Sequence, residues 1–427
     1  MQVSTTLEQS RAPVVVRVLN RWAERARRRG LARRFPTAAE LIETARHRTG
    51  FDDFGPGDFF EPLSRLLESC QREARLNFVG QMALRSDLVR MLSNRLLLER
   101  DRHLYPAIQN QRIEQPLFII GLPRSGTTLL HTLLAADNAH RAPFVWEAMF
   151  PSPPTNERMK QRIRQAQRSI GFFQWLAPTF RQVHALGAEL PQECIGLTSP
   201  SMLSDQFDTM YRVPSYRRWF FKQDLLPSYQ FHHRCLQHLQ RRQSARRWIL
   251  KAPAHMFALP ALLSIYPDAL FVQVHRTPLK AIVSVASLVA ILRSVFSDHV
   301  DPLEVGRDAL QYWADTMTTF LQHRDELPSH RLCDVNYKEI RQDPIAVIRH
   351  IYGYFGWALS SETERRMRAV LANQPAEENG YHRYDPAQFG LVPDEVGACF
   401  ATYCDRFGLT EQLGPAESRI ARSAAAG

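Results

Sequence analysis

Residues 116–130 read PLFIIGLPRSGTTLL. A short apolar run breaks at Gly-Leu-Pro and an apolar helical pattern begins almost at once, which predicts strand, tight loop, helix. Such a unit aims backbone N–H groups and the positive end of a helix dipole at one point, a cradle for phosphate. Gly121 and Gly126 have the spacing of GxxxxGK[ST], and Thr128 takes the final hydroxyl position. Thr127, however, stands where the lysine belongs, and the nearby cation is Arg124. Without that lysine a terminal triphosphate would be poorly neutralised.

The same alternation recurs. WILKAP (248–253), ALFVQVHR (269–276) and LCDVNY (332–337) each precede a helical pattern. Strands alternating with helices predict an α/β fold with a P-loop-like, mainly parallel sheet flanked by helices, its functional groups at the strands' carboxyl ends. Residues 13–112 carry apolar residues at helical spacing and predict a helical extension. The division expected is 1–112 extension with an arginine-rich arm, 113–412 α/β domain, and 413–427 disordered tail. ALFVQVHR ends in His275-Arg276 rather than in a magnesium-binding Asp, so the chain looks built for an anionic nucleotide without a metal.

Composition narrows the partners. The formal charge is +11, but residues 1–34 alone hold nine arginines against Glu8 and Glu24, so most of the basicity is a local arm and nucleic acid is not expected. That arm is a candidate for contact with an anionic membrane; the plainer reading is a solvated helical face. Six scattered cysteines lack zinc-site spacing and read as reduced thiols, which predicts a cytoplasmic protein. Uncharged apolar runs of about 7 or 8 residues predict no membrane-spanning helix. The N-terminus does not read as a secretory signal, and the low Lys-to-Arg ratio fits a GC-rich bacterial genome.

GLPRSGTTLL resembles the 5′-phosphosulfate loop of sulfotransferases that use 3′-phosphoadenosine 5′-phosphosulfate (PAPS). VHRTPLKAIVSVASL is similar to their 3′-phosphate segment, an Arg followed eight residues later by a Ser, here Arg276 and Ser284. The resemblance spans roughly residues 113–410, with the helical region like an extension found in one bacterial branch. It implies PAPS as co-substrate, no metal, and transfer of a sulfuryl group to a hydroxyl, less readily an amine, of a small-molecule, lipid or carbohydrate acceptor. Arg124, Ser125, Gly126, Thr127 and Thr128 would hold the 5′-phosphate, Arg276 and Ser284 the 3′-phosphate. His382 and Arg383, in NGYHRYDPAQFGL, would cover the nucleotide. Lys251 matches the family's lysine that steadies the leaving oxygen.

For the catalytic base two residues compete. Glu147 lies 23 positions after Arg124, near where tyrosylprotein and bacterial carbohydrate sulfotransferases carry a glutamate, and spacing favours it. His255, four after Lys251, lies near where cytosolic small-molecule enzymes carry a histidine. ELPQEC (189–194) and His184 line the acceptor pocket on one reading and serve capping or burial on another; the aromatics of 207–221 are acceptor site or core. Rival functions are a P-loop kinase or NTPase, and a non-catalytic nucleotide- or membrane-binding protein on the same fold.

Overall fold

The computed structural model describes residues 13–30, 34–153, 155–180, 185–241, 247–373 and 385–409. Its centre is a five-stranded sheet built from β1 (Leu117–Gly121), β2 (His140–Arg141), β3 (Arg247–Lys251), β4 (Leu270–His275) and β5 (Leu332–Asn336), in the order β2-β3-β1-β4-β5. Every pairing is parallel. The strands β1 and β4 are buried along their whole length, which is why they read as mainly apolar runs, with Gln273 and His275 as the polar exceptions in β4. The four predicted strand units are thus present, and β2, only two residues long, is added.

Alternation sorts the side chains between two layers. Leu117, Ile119, Ile249, Val272 and Val274 pack with Leu130, Leu133 and Leu134 of the helix Thr127–Ala135 and with Ile345, Ile348 and Ile351 of the helix Pro344–Tyr354. Phe118, Ile120, Leu250 and Phe271 face the opposite way, onto Leu236, Ile282, Ala286 and Met317 from the helices Leu226–Gln240, Pro278–Phe296 and Pro302–Arg324. The helix Pro278–Phe296 is long and apolar enough to cross a membrane by length and composition. Its most apolar stretch is 72% buried inside the protein, as expected of the central helix of a large core. The sequence expectation counted only unbroken runs and did not register this helix.

The N-terminal region forms the helices Val14–Arg28, Ala38–Thr49, Phe60–Glu73 and Phe78–Leu104. Asn77 separates the last two: its side chain accepts the Gly80 N–H at 2.8 Å, capping the longer helix. Leu41, Leu63, Leu66, Leu88 and Leu92 share one core with Phe207, Tyr216 and Phe220 and with Ile291, Val295 and Phe296. The aromatics of 207–221 are therefore mainly core, and the extension is joined to the α/β layer by packing. The tail 413–427, given above as disordered, lies outside the described residues.

Candidate active site

Sheet order places the chemistry. β1 lies between β3 and β4, so its carboxyl end is flanked by the ends of both neighbours, where ligands bind in open parallel sheets. The register pairs Ile119 with Lys251 on β3 and Gly121 with Val274 on β4. Lys251 therefore ends its strand on one side of the loop, and Arg276, two residues past Val274, leaves on the other.

The loop needs its glycines. Gly121 has φ +140°, and a Cβ there would lie 2.5 Å from the Val274 carbonyl oxygen. Gly126, at φ +88°, precedes the helix Thr127–Ala135, and a Cβ would press on the Tyr337 ring at 3.1 Å. Ser125 Oγ donates to the Leu122 carbonyl at 2.6 Å and is buried, so it closes the turn. The first N–H groups of the helix have no intrahelical acceptor and remain for an anion.

Lys251 supplies the cation the loop lacks. Its Nζ donates to Thr128 Oγ1 at 3.2 Å and forms an ion pair with Glu193. Glu193 reaches this point because its segment is fastened to the sheet: Cys194 N donates to the Lys251 carbonyl at 2.9 Å, and Gln192 N to the Pro143 carbonyl at 2.7 Å.

On the other flank Arg124, at φ 65°, is exposed, and its Nε donates to Ser284 Oγ at 3.3 Å. Arg276 donates through Nη1 to the Arg124 carbonyl, and its guanidinium carbon lies 4.3 Å from the centre of the Tyr337 ring. Burial holds the Arg276 guanidinium below the usual arginine range, and Arg124 and Arg341 push the same way, partly offset by Tyr337. Arg276 Nε is buried without a hydrogen-bond partner. A buried donor beside two further guanidinium groups is suited to an anion.

The two base candidates are placed differently from that cluster. Glu147 is 0% exposed. Its Oε1 accepts from Arg141 Nη2 at 2.8 Å and its Oε2 from the Phe144 N–H at 2.9 Å, while Arg141 stacks on Trp248 at 4.6 Å. Glu147 thus caps its own short helix, Val145–Met149, and pairs with a buried arginine. His255 lies beneath β1. Its Nδ1 is 2.6 Å from the Tyr229 hydroxyl, its ring meets Phe118 edge-on, and burial drives its pKa well below the ordinary imidazole value.

His255 also borders a small cavity of about 20 Å³ with Ile195, Leu203, Phe220, Leu225 and Phe257. Asp205 in its wall receives the Tyr312 hydroxyl at 3.1 Å, and burial pushes its carboxyl up to about 7. Among the described residues, no group of three His, Cys, Asp or Glu side chains is placed to hold a metal ion. His184, His382 and Arg383 lie outside the described residues. Glu193 went unsingled within ELPQEC, and Tyr337 and Arg341 were not considered; the only sequence signal for the last two is that they follow β5 directly.

A P-loop with its lysine replaced from the next strand, facing an arginine pair, defines the class. A model of the sulfotransferase family matches residues 116–361, and the chain belongs to that family. Sulfotransferase STF1 from Mycobacterium tuberculosis superposes with a TM-score of 0.77 at 34% identity, covering 86% of this chain and 99% of that one. STF9 from Mycobacterium avium gives 0.78 at 27% identity, covering 88% and 97%. The omega-hydroxy-beta-dihydromenaquinone-9 sulfotransferase Stf3 of Mycobacterium bovis is 25% identical over 311 residues, 69% of this chain and 75% of that protein. The protein is an enzyme, a sulfotransferase of the P-loop-like fold.

Proposed function

We infer that this enzyme transfers the sulfuryl group of PAPS to a hydroxyl on a lipid or other largely apolar molecule. The observation that carries the reading is Lys251 Nζ held between Thr128 of the phosphate loop and the carboxylate of Glu193. A cation, a phosphate cradle and a carboxylate at one point are what transfer from a phosphate to a hydroxyl needs.

The residues fit a 3′-phosphorylated nucleotide. Arg124, Thr127, Thr128 and the N–H groups at the helix start would hold the 5′-phosphate. Arg276, with its unpartnered Nε, and Ser284 would hold the 3′-phosphate, with His382 and Arg383 as further candidates. When bound, PAPS supplies the activated sulfuryl group; the chain positions it, neutralises charge and moves one proton. Glu193, about a quarter exposed, takes the proton of the acceptor hydroxyl. Lys251, freed from that ion pair, donates to the leaving phosphate oxygen.

The lipid acceptor named for Stf3 favours an apolar acceptor body. Six free cysteines, four of them buried, agree with a reducing compartment, and we place the reaction in the cytoplasm. The test is incubation with PAPS and a panel of long-chain and prenylated alcohols, followed by mass spectrometry. A product heavier by SO₃ is expected. Phosphorylation from ATP, or no transfer to any hydroxyl, would overturn the reading.

A further inference from the structure

The helix Val14–Arg28 presents three faces. One is inward: Val16 is buried in the N-terminal core, and Asn20 Oδ1 accepts the Val79 N–H at 3.3 Å. A second consists of Val14, Val15, Val18, Leu19 and Trp22, all exposed to solvent, Trp22 by 70%. With 3.6 residues per turn, these five side chains cover an arc of about 140°. Arg17, Arg21, Arg25 and Arg28 occupy the third face, and the helix carries five arginines against Glu24.

The apolar surface continues onto two neighbouring helices. Phe78 and Met82, one turn apart and beside the Asn20–Val79 contact, are exposed. So are Phe172 and Trp175 of the helix Met159–Leu176, whose rings stack at 5.8 Å. Phe173 between them turns inward to the Phe296 ring at 6.4 Å, and the Phe296 carbonyl accepts the Asn77 N–H at 2.9 Å. The helices Val14–Arg28 and Phe78–Leu104, which pack together, thus share exposed apolar side chains, and the helix Met159–Leu176 carries a further exposed aromatic pair. Single exposed apolar residues need no explanation, but a set bordered by arginines marks an interaction surface.

We propose that this face docks the enzyme on an anionic lipid bilayer, the Val14–Arg28 helix lying in the interface with Trp22 inserted and its arginines at the headgroups. Charge selects the occupant. A second copy would set two arginine-rich faces against each other, and a nucleic acid would leave the apolar arc unused; an anionic bilayer satisfies both faces. The surface is also linked to the active site. Ser284 and Phe296 sit on one helix, twelve residues apart, a rise of about 18 Å. Docking holds the phosphate loop within reach of molecules that reside in the membrane. The inference does not depend on the acceptor assignment, because it is read from binding and not from turnover.

The experiment uses the full chain with vesicles of phosphatidylcholine alone or mixed with phosphatidylglycerol. Co-sedimentation with the anionic vesicles is expected, weakened by salt and much weaker on the neutral ones. The Val18→Glu/Trp22→Glu and Arg21→Glu/Arg25→Glu pairs, all at exposed positions, should each lower the affinity at least about ten-fold while keeping the wild-type melting temperature. Brominated lipids should quench tryptophan emission in the wild type and lose most of that effect in Trp22→Phe/Trp175→Phe, the two exposed tryptophans. The proposal is overturned if the wild type stays with the supernatant, if the glutamate pairs sediment unchanged, or if quenching survives in Trp22→Phe/Trp175→Phe. It is equally overturned if Val18→Glu/Trp22→Glu converts a dimer to a monomer and leaves vesicle binding intact.

Discussion

Lys251 and His255 stand four residues apart, at the end of β3 and just beyond it, and belong to opposite polar regions. Lys251 points to the phosphate loop, where it meets Thr128 and Glu193, and Arg124, Arg276 and Ser284 contact one another on the loop's other flank. His255 points below the sheet into a layer in which Tyr229 pairs with it and Tyr266 pairs with His232 at 2.8 Å. The first region keeps charge, an unpartnered guanidinium nitrogen and access to solvent. The second is buried, its two tyrosine hydroxyls paired with histidine Nδ1 atoms, while His232 Nε2 and His255 Nε2 find no partner. Histidine and tyrosine are common catalytic residues, yet here they pair with one another within the core, and the proposed mechanism rests on the carboxylate and cations of the first region.

The sharpest way to break this contrast is at the two glutamates. Glu193→Gln should lower turnover by roughly 10²–10⁴-fold while nucleotide affinity stays near wild type. Glu147→Gln leaves Arg141 buried and unneutralised, so it should cost about 3–5 kcal/mol of stability and little turnover per folded molecule. Denaturant titration and kinetics on both variants decide; a dead, stable Glu147→Gln beside an active Glu193→Gln would reverse the assignment.

Arg276→Ala tests the other flank of the loop. Loss of one charge-assisted contact should weaken the 3′-phosphorylated nucleotide by about 10–100-fold and its 3′-dephospho analogue far less. Calorimetry measures both. Equal losses would remove Arg276 from the 3′-phosphate site.

In the buried layer, Tyr229→Phe should leave His255 Nδ1 without a partner, costing about 1–3 kcal/mol with KM and turnover little changed. Together with histidines buried elsewhere in the fold, this layer predicts acid sensitivity. Burial pushes His131, His232 and His238 down to about 3, and His255 well below its ordinary value. An unfolded chain binds those protons below about pH 6.5, whereas the folded one does not. Their contribution is therefore complete above that pH and is lost as pH falls, by up to about 1.4 kcal/mol per pH unit for each imidazole. Urea midpoints measured from pH 7 to 4 should fall accordingly, and less steeply in a variant with His232 replaced by Gln.

The smallest effect expected is none. EDTA should leave turnover unchanged, because arginine, lysine and loop N–H groups supply the charge. A reversible, metal-specific loss would show that a ligand set has been overlooked.

Much of the fold was legible because parallel strands buried on both faces are mainly apolar, and PLFIIG, WILK and ALFVQV stand out in spite of Lys251 and Gln273. β2 escaped because His140-Arg141 is too short and too polar to carry a pattern. The phosphate loop was equally legible, since its glycines answer local backbone demands at Gly121 and Gly126. Spacing brought Glu147 forward, although its place at the third position of a short helix was the sign of a capping role.

The chain order alone therefore determined the strand–loop–helix units and the missing lysine, and it singled out Arg124, Arg276 and Ser284, which the fold brings together. Only the tertiary structure decided how the site is completed. Lys251 meets Thr128 across 123 positions and Glu193 across 58, because β3 takes the place beside β1 and the Cys194 N–H is bonded to the last carbonyl of that strand. Sheet order and register are settled by the packing of whole layers, and no local run of residues encodes which strand lies next to which.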